Sequence, residues 1–335
     1  MLSQKIKDKA KELGYLKCGI IPATTFDEYL REIDNRSELF PESKKYYDTY
    51  RGWGSLPEGS KSIIVCTQRH NQYKVPKSLE DFFGKMYLFD NRISYTEEYR
   101  ANTELETYFN MLGLNVLEGM IPDRWSGARS GVGKFGRNNF IYDDTHGSYT
   151  LINVWVVDKE LEYDPIVEDT NLAACNDGCH LCIKACPTKA LSDKFLMDAG
   201  KCISRVQFDG NDALTDEMKE GMGTWFYGCD ICQDVCPKNK DKLEESVDYP
   251  LLAEFEELLS FESILAMDEQ MYKEIVNPRF WYAGEESLWL WKCNAIRCMV
   301  NTGESKYHEL IKKHCDHEDE RIRNMAKWGC KKLGI

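Results

Sequence analysis

Two runs decide how the chain is read: Cys175-Asn-Asp-Gly-Cys179-His-Leu-Cys182-Ile-Lys-Ala-Cys186-Pro187 and Cys229-Asp-Ile-Cys232-Gln-Asp-Val-Cys236-Pro237. Cys202 lies between them. An iron–sulfur cube needs four thiolates converging on one small object. Closely spaced cysteines on a tight loop supply three, and the loop's N–H groups offset the negative charge of the cluster. In a two-cluster run the cysteine before Pro crosses to the other cube. This logic assigns Cys175, Cys179, Cys182 and Cys236 to one [4Fe–4S] cluster, and Cys186, Cys202, Cys229 and Cys232 to the other. The alternatives are zinc or plain buried thiols, but zinc favours paired Cys-x-x-Cys units without the crossing Cys-Pro pattern. Three residues separate Cys175 from Cys179, where two are usual, and Gly178 can absorb the extra one in a left-handed turn.

The remaining cysteines are Cys18, Cys66, Cys293, Cys298, Cys315 and Cys330. With His314 and His317, the last four invite a zinc reading. Their placement on apolar helix faces favours buried thiols. Fourteen cysteines in a reducing compartment point to metal rather than disulfides. The first residues form an amphipathic segment without the apolar stretch of a signal peptide, and no apolar run approaches membrane-spanning length. The expected location is cytoplasmic, with no membrane partner. Net charge is −13. Residues 284–335 carry a small positive balance and the rest is acidic, which disfavours broad contact with phosphate backbones.

Outward from the cysteines, the expected architecture has three parts. Residues 1–165 read as an α/β domain, with helices near 3–13 and 25–33 and strands near 15–21, 62–66, 114–117 and 149–157. A turn-rich stretch is expected over 35–60, and a long helix, bent near Asp90–Asn91, over 79–112. Residues 166–245 form a ferredoxin-like double-cluster module of α+β type. Residues 246–335 form an all-α tail, with helices near 286–300, 305–315 and 319–333 that suggest a HEAT-like repeat.

Gly131-Val-Gly133-Lys-Phe-Gly136 fits G-x-G-x-x-G, but no apolar strand precedes it, so a dinucleotide fingerprint is disfavoured. A turn, or close backbone approach to a flat or phosphate-bearing cofactor, are the other readings. The run SGARSGVGKFGRNNFIYDDTHGSY, together with WFYGCDICQDVCPKN and the order of parts, resembles epoxyqueuosine reductases over nearly the whole chain. Reductive dehalogenases are more distant relatives. The resemblance implies cobalamin in the α/β domain, beside one cluster. By position it implies that Gly133, Gly136, Arg137, Asn138, Asn139, Gly147 and Ser148 lie near cobalamin, and that Asp123 is an acidic proton donor; otherwise Asp123 is a turn residue after Pro122. Asp144-Thr-His146-Gly147 does not continue as a D-x-H-x-x-G cobalt-ligand motif, in keeping with a family that uses no histidine ligand.

Ile93-Ser-Tyr-Thr-Glu-Glu-Tyr-Arg100 stands where the family carries an Arg-Asp-Tyr-His-like signature. That departure and the acidic composition favour a paralogous branch. The expected enzyme takes electrons from a low-potential donor of ferredoxin or flavodoxin type, passes them through two clusters to cobalamin, and reduces a small substrate. A tRNA partner is disfavoured, because basic residues such as Lys312, Lys313, Arg323 and Lys331 are interleaved with Asp316, Glu318, Asp319 and Glu320. The alternatives are a true tRNA epoxyqueuosine reductase and an electron-transfer protein without cobalamin.

Overall fold

In the computed structural model, residues 1–170, 174–193, 196–210 and 214–335 are described. The N-terminal region is built on strands β1 (Lys17–Pro22) and β2 (Ser62–Arg69) and a third, distant strand, Thr150–Val157. The order places β2 in the centre, antiparallel to both neighbours. Ile63-Ile64-Val65-Cys66 is a continuous apolar run because both faces of β2 are covered. On one face Ile64 and Cys66 meet Ile6 and Ala10 of α1 (Leu2–Glu12). On the other, Ile63 and Val65 meet Tyr29 and Ile33 of α2 (Asp27–Leu39) and Tyr47 of α3 (Lys44–Arg51). The layered α/β expectation thus holds as mixed content around an antiparallel sheet.

Three sequence expectations need correction. Residues 35–60 are not mainly turns: α2 runs on to Leu39 and α3 follows, because the fully buried Tyr47 anchors an otherwise polar stretch. The long helix expected over 79–112, bent near Asp90–Asn91, forms only in its last part. A single turn, α4 (Lys85–Leu88), precedes α5 (Glu97–Met111). Residues 82–84 instead bond the cluster module, with Phe226 N–H donating to Phe82 O at 2.6 Å and Gly84 N–H to Tyr227 O at 2.8 Å. Residues 114–117 form no full strand; Val116 makes one bridge to Val157.

After α6 (Asp123–Arg129) the chain makes a tight hairpin of β3 (Lys134–Phe135) and β4 (Ile141–Tyr142), then enters β5 (Thr150–Val157). A Cβ on Gly133 would lie 2.3 Å from Ile141, and one on Gly136 would lie 2.4 Å from the Tyr142 ring. The glycines therefore let two short strands close. They do not open a helix as a dinucleotide loop would.

The cluster module contributes short helices at Leu181–Ala185, Ile203–Asp209 and Ile231–Asp234. The C-terminal region is helical, with Leu288–Thr302, His308–Lys313 and Glu320–Leu333. One apolar core joins it to the module. Phe226 and Tyr227 lie 5.0 and 5.3 Å from the Trp291 ring, measured between centroids, and the fully buried Arg297 donates to Gly223 O at 2.6 Å. The loop that enters Cys229 is thereby held rigidly from behind. No helix among the described residues is long and apolar enough to cross a membrane.

Candidate functional site

The cysteines fall into two neighbouring groups. Cys182 interacts with Cys175, Cys179 and Cys236, and Cys175 with Cys236 and Cys179. In the second group Cys229 interacts with Cys202 and Cys186, and Cys232 with Cys229 and Cys202. Cys232 also feels Cys182, so the two groups adjoin there. Gly178 takes φ +71° with open space around it, which accommodates the extra residue of the first run.

Among the described residues, no three His, Cys, Asp or Glu side chains close on a point as they would around one metal ion. A cube spreads its four thiolates around a larger body. Backbone N–H groups already face the sulfurs: Arg137 N–H donates to Cys175 Sγ at 3.3 Å, and the N–H groups of Ile183, Arg205 and Ile231 serve Cys182, Cys202 and Cys229. Burial pushes the Cys182 thiol up to about 11, aided by Cys175, against the Ile183 N–H. Burial likewise raises Cys202, Cys229 and Cys232. Donor loops of this kind fit an anionic cluster, whose iron supplies the positive charge that keeps buried sulfur ionised.

The hairpin segment spans both groups. Arg137 touches Cys175, and the Tyr142 hydroxyl bonds Cys236. Asn138 Nδ2 donates to the Cys232 carbonyl at 3.0 Å and to the Tyr142 hydroxyl at 2.9 Å. Ser148 is held by the module: its N–H donates to Asn239 Oδ1 at 2.9 Å and its hydroxyl to Gln233 at 2.7 Å. Gly147, at φ +63°, leaves room for Asn239. His146 bonds Asp143 through Nδ1 at 3.1 Å.

Beyond the hairpin lies an open cavity of about 710 Å³. Asp123 and Asn139 line it; Gly133, Gly136, Arg137, Asn138, Gly147 and Ser148 do not. Asn139 sits at φ +65°, a conformation its short amide tolerates, and accepts from Arg36 at 3.2 Å. Among the described residues, its buried Nδ2 has no partner. Asp123 is exposed at the mouth of the cavity, and the protein packed behind the carboxyl is what desolvates it. That desolvation pushes its pKa up to about 6, against the pull of Arg92 and Arg124. Tyr46 and Tyr47 form part of the wall, and both feel Cys202. Cys202 also feels Arg124. The second cysteine group therefore borders the cavity.

Sequence reasoning missed most of this wall. Tyr46, Tyr47 and Tyr50 lay in the stretch expected to be turns, although their spacing of three and four residues was a helical signal. Arg92 was missed as well. It is clamped on the buried Asp90 at 2.9 and 2.8 Å and lies 4.2 Å over the half-exposed Trp281 ring. Trp281 stacks on Tyr282 at 4.4 Å, and Tyr282 lines the cavity. The other cysteines stay apart from the site. Cys18 faces Cys66 across β1 and β2, Cys293 and Cys298 are buried, and Cys315 lies 3.3 Å from Cys330.

Eight cysteines in two neighbouring groups beside an open cavity define an iron–sulfur oxidoreductase. A family profile described as "4Fe-4S double cluster binding domain" matches residues 174–239. An epoxyqueuosine reductase of Bacillus cereus is 30% identical over 352 aligned positions, covering 99% of this chain and 89% of the relative. One from Cyclobacterium marinum is 27% identical, covering 71% and 79%. The fold matches a solved epoxyqueuosine reductase from Bacillus subtilis with TM-score 0.80 at 24% identity, over 100% of this chain and 91% of that one. It also matches an epoxyqueuosine reductase solved with an epoxyqueuosine-modified tRNA stem loop, with TM-score 0.77 at 23% identity, over 100% and 90%. The chain belongs to the epoxyqueuosine reductase family.

Proposed function

We propose that this chain is a cobalamin-dependent iron–sulfur reductase, with the clusters on the two cysteine quartets and with cobalamin and substrate in the cavity over Asp123. The observation that carries the reading is the electrostatic influence of Cys202 on Tyr46 and Tyr47, and of Arg124 on Cys202, all three partners being residues that line the cavity. The residues present fit cobalamin. The cavity has the volume of a large-ligand site, its mouth is open, and Asn139 offers a buried amide without a partner. When bound, the clusters carry single electrons and cobalamin supplies a strongly nucleophilic cobalt centre.

Electrons enter at the exposed loop over residues 176–181, where a low-potential donor can reach the first quartet. With clusters bound, Cys182 and Cys232 would bring the two quartets close together, and Cys202 would set the second one beside the cavity. Asp123 is the proton donor: its surroundings raise the carboxyl to about 6, so a minor fraction carries the proton near neutral pH and most of it does below pH 6. For an epoxide substrate, two electrons and two protons convert the ring to a carbon–carbon double bond and release its oxygen as water. Asp123 donates one proton to that oxygen and solvent supplies the other.

For the substrate, likeness along 99% of the chain to an epoxyqueuosine reductase supports epoxyqueuosine in tRNA. The rim agrees: Trp281 presents a partly exposed ring beside the Arg92 cation, a pairing suited to a base and its phosphate. The net charge of −13 favours the second reading, a small oxygenated electrophile. Anaerobically reconstituted protein with cobalamin and a reductant should remove one oxygen from an epoxyqueuosine-containing stem loop, read by mass spectrometry. Binding of cobalamin without turnover of the stem loop would return the substrate to the small-molecule reading. Reduction without cobalamin would overturn the cofactor assignment.

A further inference from the structure

Two sulfurs outside the cluster module lie side by side. Cys315 stands in the turn His314–Asp316, and Cys330 in the helix Glu320–Leu333 that follows it. Their Sγ atoms are 3.3 Å apart, although fifteen positions separate them in the chain. A disulfide holds its sulfurs at about 2.0 Å, so bonding asks for an approach of about 1 Å. Both residues are half-buried, which leaves the pair open to small reagents. Burial, and then the bond from Cys315, raise the Cys330 thiol to about 11, against the nearby Lys312 cation, so Cys330 rests as a thiol at neutral pH. Cys18 and Cys66 also face each other, but Cys66 is fully buried under α1 and shut off from reagents. Metal fits the exposed pair poorly. His314 Nδ1 lies 2.9 Å from Leu310 O, and His317 Nδ1 accepts from Asp319 N–H at 3.0 Å, so both nitrogens are engaged elsewhere. Among the described residues, no third His, Cys, Asp or Glu closes on the two sulfurs.

The helix that carries Cys330 braces the approach to the second quartet. Gly329 packs so closely that a Cβ there would lie 2.6 Å from Val300, in the helix Leu288–Thr302. Lys332 pairs with Glu220 at 2.7 Å, and the Lys219 ammonium lies 5.3 Å over the Trp328 ring. Lys219 and Glu220 belong to the helix Asp216–Gly221. From there the chain runs through Gly223 and Trp225, whose carbonyls both accept from Arg297, to Cys229. A covalent tie at Cys330 therefore stiffens the support behind that cysteine.

We propose that Cys315 and Cys330 are a reversible oxidation site, a dithiol that a low-molecular-weight disulfide converts into an intramolecular bond, latching the last helix to the turn before it. One cysteine thiolate displaces a thiol from the reagent and forms a mixed disulfide. The second thiolate displaces the other thiol, and the Cys315–Cys330 bond closes. The pair loses two electrons and two protons, and the reagent leaves as two thiols. A reducing compartment opens the bond again, as it does other transient disulfides. The site stands apart from the cofactor reading; only its effect on iron rests on the clusters. Cluster-loaded protein is treated anaerobically with glutathione disulfide, remaining thiols are alkylated, and peptides are mapped by mass spectrometry. The peptides of Cys315 and Cys330 should be joined with the loss of two hydrogens at unchanged cluster absorbance, and dithiothreitol should part them. Cys330→Ser should instead leave a mixed disulfide on Cys315, and Cys315→Ser one on Cys330. The closed protein should unfold a few degrees higher than Cys330→Ser treated alike, and should release iron to a chelator more slowly. Separate alkylation of both cysteines, closure at Cys18 and Cys66 instead, or protection of both thiols by one equivalent of zinc would overturn the site. Closure with unchanged unfolding and iron release would overturn the latch. Protein without iron before treatment would fail the cluster reading and leave the mapping result to decide the site.

Discussion

At the scale of single residues, the proposed chemistry rests on the Asp123 carboxyl at the cavity mouth and on sulfurs held in two neighbouring groups. If Asp123 donates a proton, turnover should be level below its pKa of about 6 and fall about tenfold per pH unit above it. Arg92 and Arg124 favour the ionised form, so Arg92→Gln should move the break to higher pH. Asp123→Asn should lower turnover by about 10²–10⁴-fold and abolish the break, while cobalamin binding persists. A pH–rate profile on the three proteins checks this, and an unchanged profile in Asp123→Asn would remove the residue from the chemistry. The cysteines separate in the same way. Cys202→Ala should cost iron from the quartet containing Cys229 and Cys232, whereas Cys293→Ala, buried in the C-terminal core, should leave iron content unchanged. His146 bonds Asp143 and does not line the cavity, so His146→Ala should leave the cobalt spectrum unaltered.

Elements explain why two glycines of equal backbone strain differ in consequence. Gly178 and Gly147 both take left-handed φ, which costs a side chain about 1–2 kcal/mol. A Cβ at Gly178 meets nothing, whereas one at Gly147 lies 2.2 Å from Asn239 Oδ1. Gly178→Ala should therefore cost about 1 kcal/mol and quicken iron loss from the first quartet to a chelator. Gly147→Ala should cost more, because it also displaces the bonds between Ser148 and Asn239. Thermal unfolding of the two variants, with equal losses as the contrary result, tests whether the hairpin is pinned to the cluster module as the structure places it.

For the molecule as a whole, the C-terminal helices and the cluster module share a core through Trp291. Trp291→Ala should cost about 3–5 kcal/mol, and should release iron from the second quartet before the first, since Phe226 and Tyr227 lead directly into Cys229. Reconstituted protein should carry about eight iron and eight sulfide per chain. Two irons per chain, or stoichiometric zinc, would contradict the cluster reading. If tRNA is the substrate, its binding should weaken steeply with added salt, and Trp281→Ala should weaken it at constant salt. Salt-insensitive or absent binding would favour the small electrophile.

What the sequence determined by itself was whatever depends on short covalent spacing. Three cysteines within a few residues face a common point, and the Cys-Pro step carries the next one away, so the expected quartets follow from covalent spacing alone. Gly178 and the central strand β2 were legible for the same local reason, a turn requirement and an unbroken apolar run. The glycine-rich segment was readable as a close approach, but what it approaches is Ile141 and Tyr142, partners that lie on the returning strand. Tertiary structure decided the rest. Residues 82–84 gave up a helix because their backbone found partners at Phe226 and Tyr227, far along the chain. The cavity gathers Tyr46, Arg92, Asp123, Asn139 and Val154 from five separate segments. Local spacing does not encode that convergence: it arises when the two faces of the sheet and the back of the cluster module bury their apolar surfaces together, leaving polar groups around a space they cannot fill.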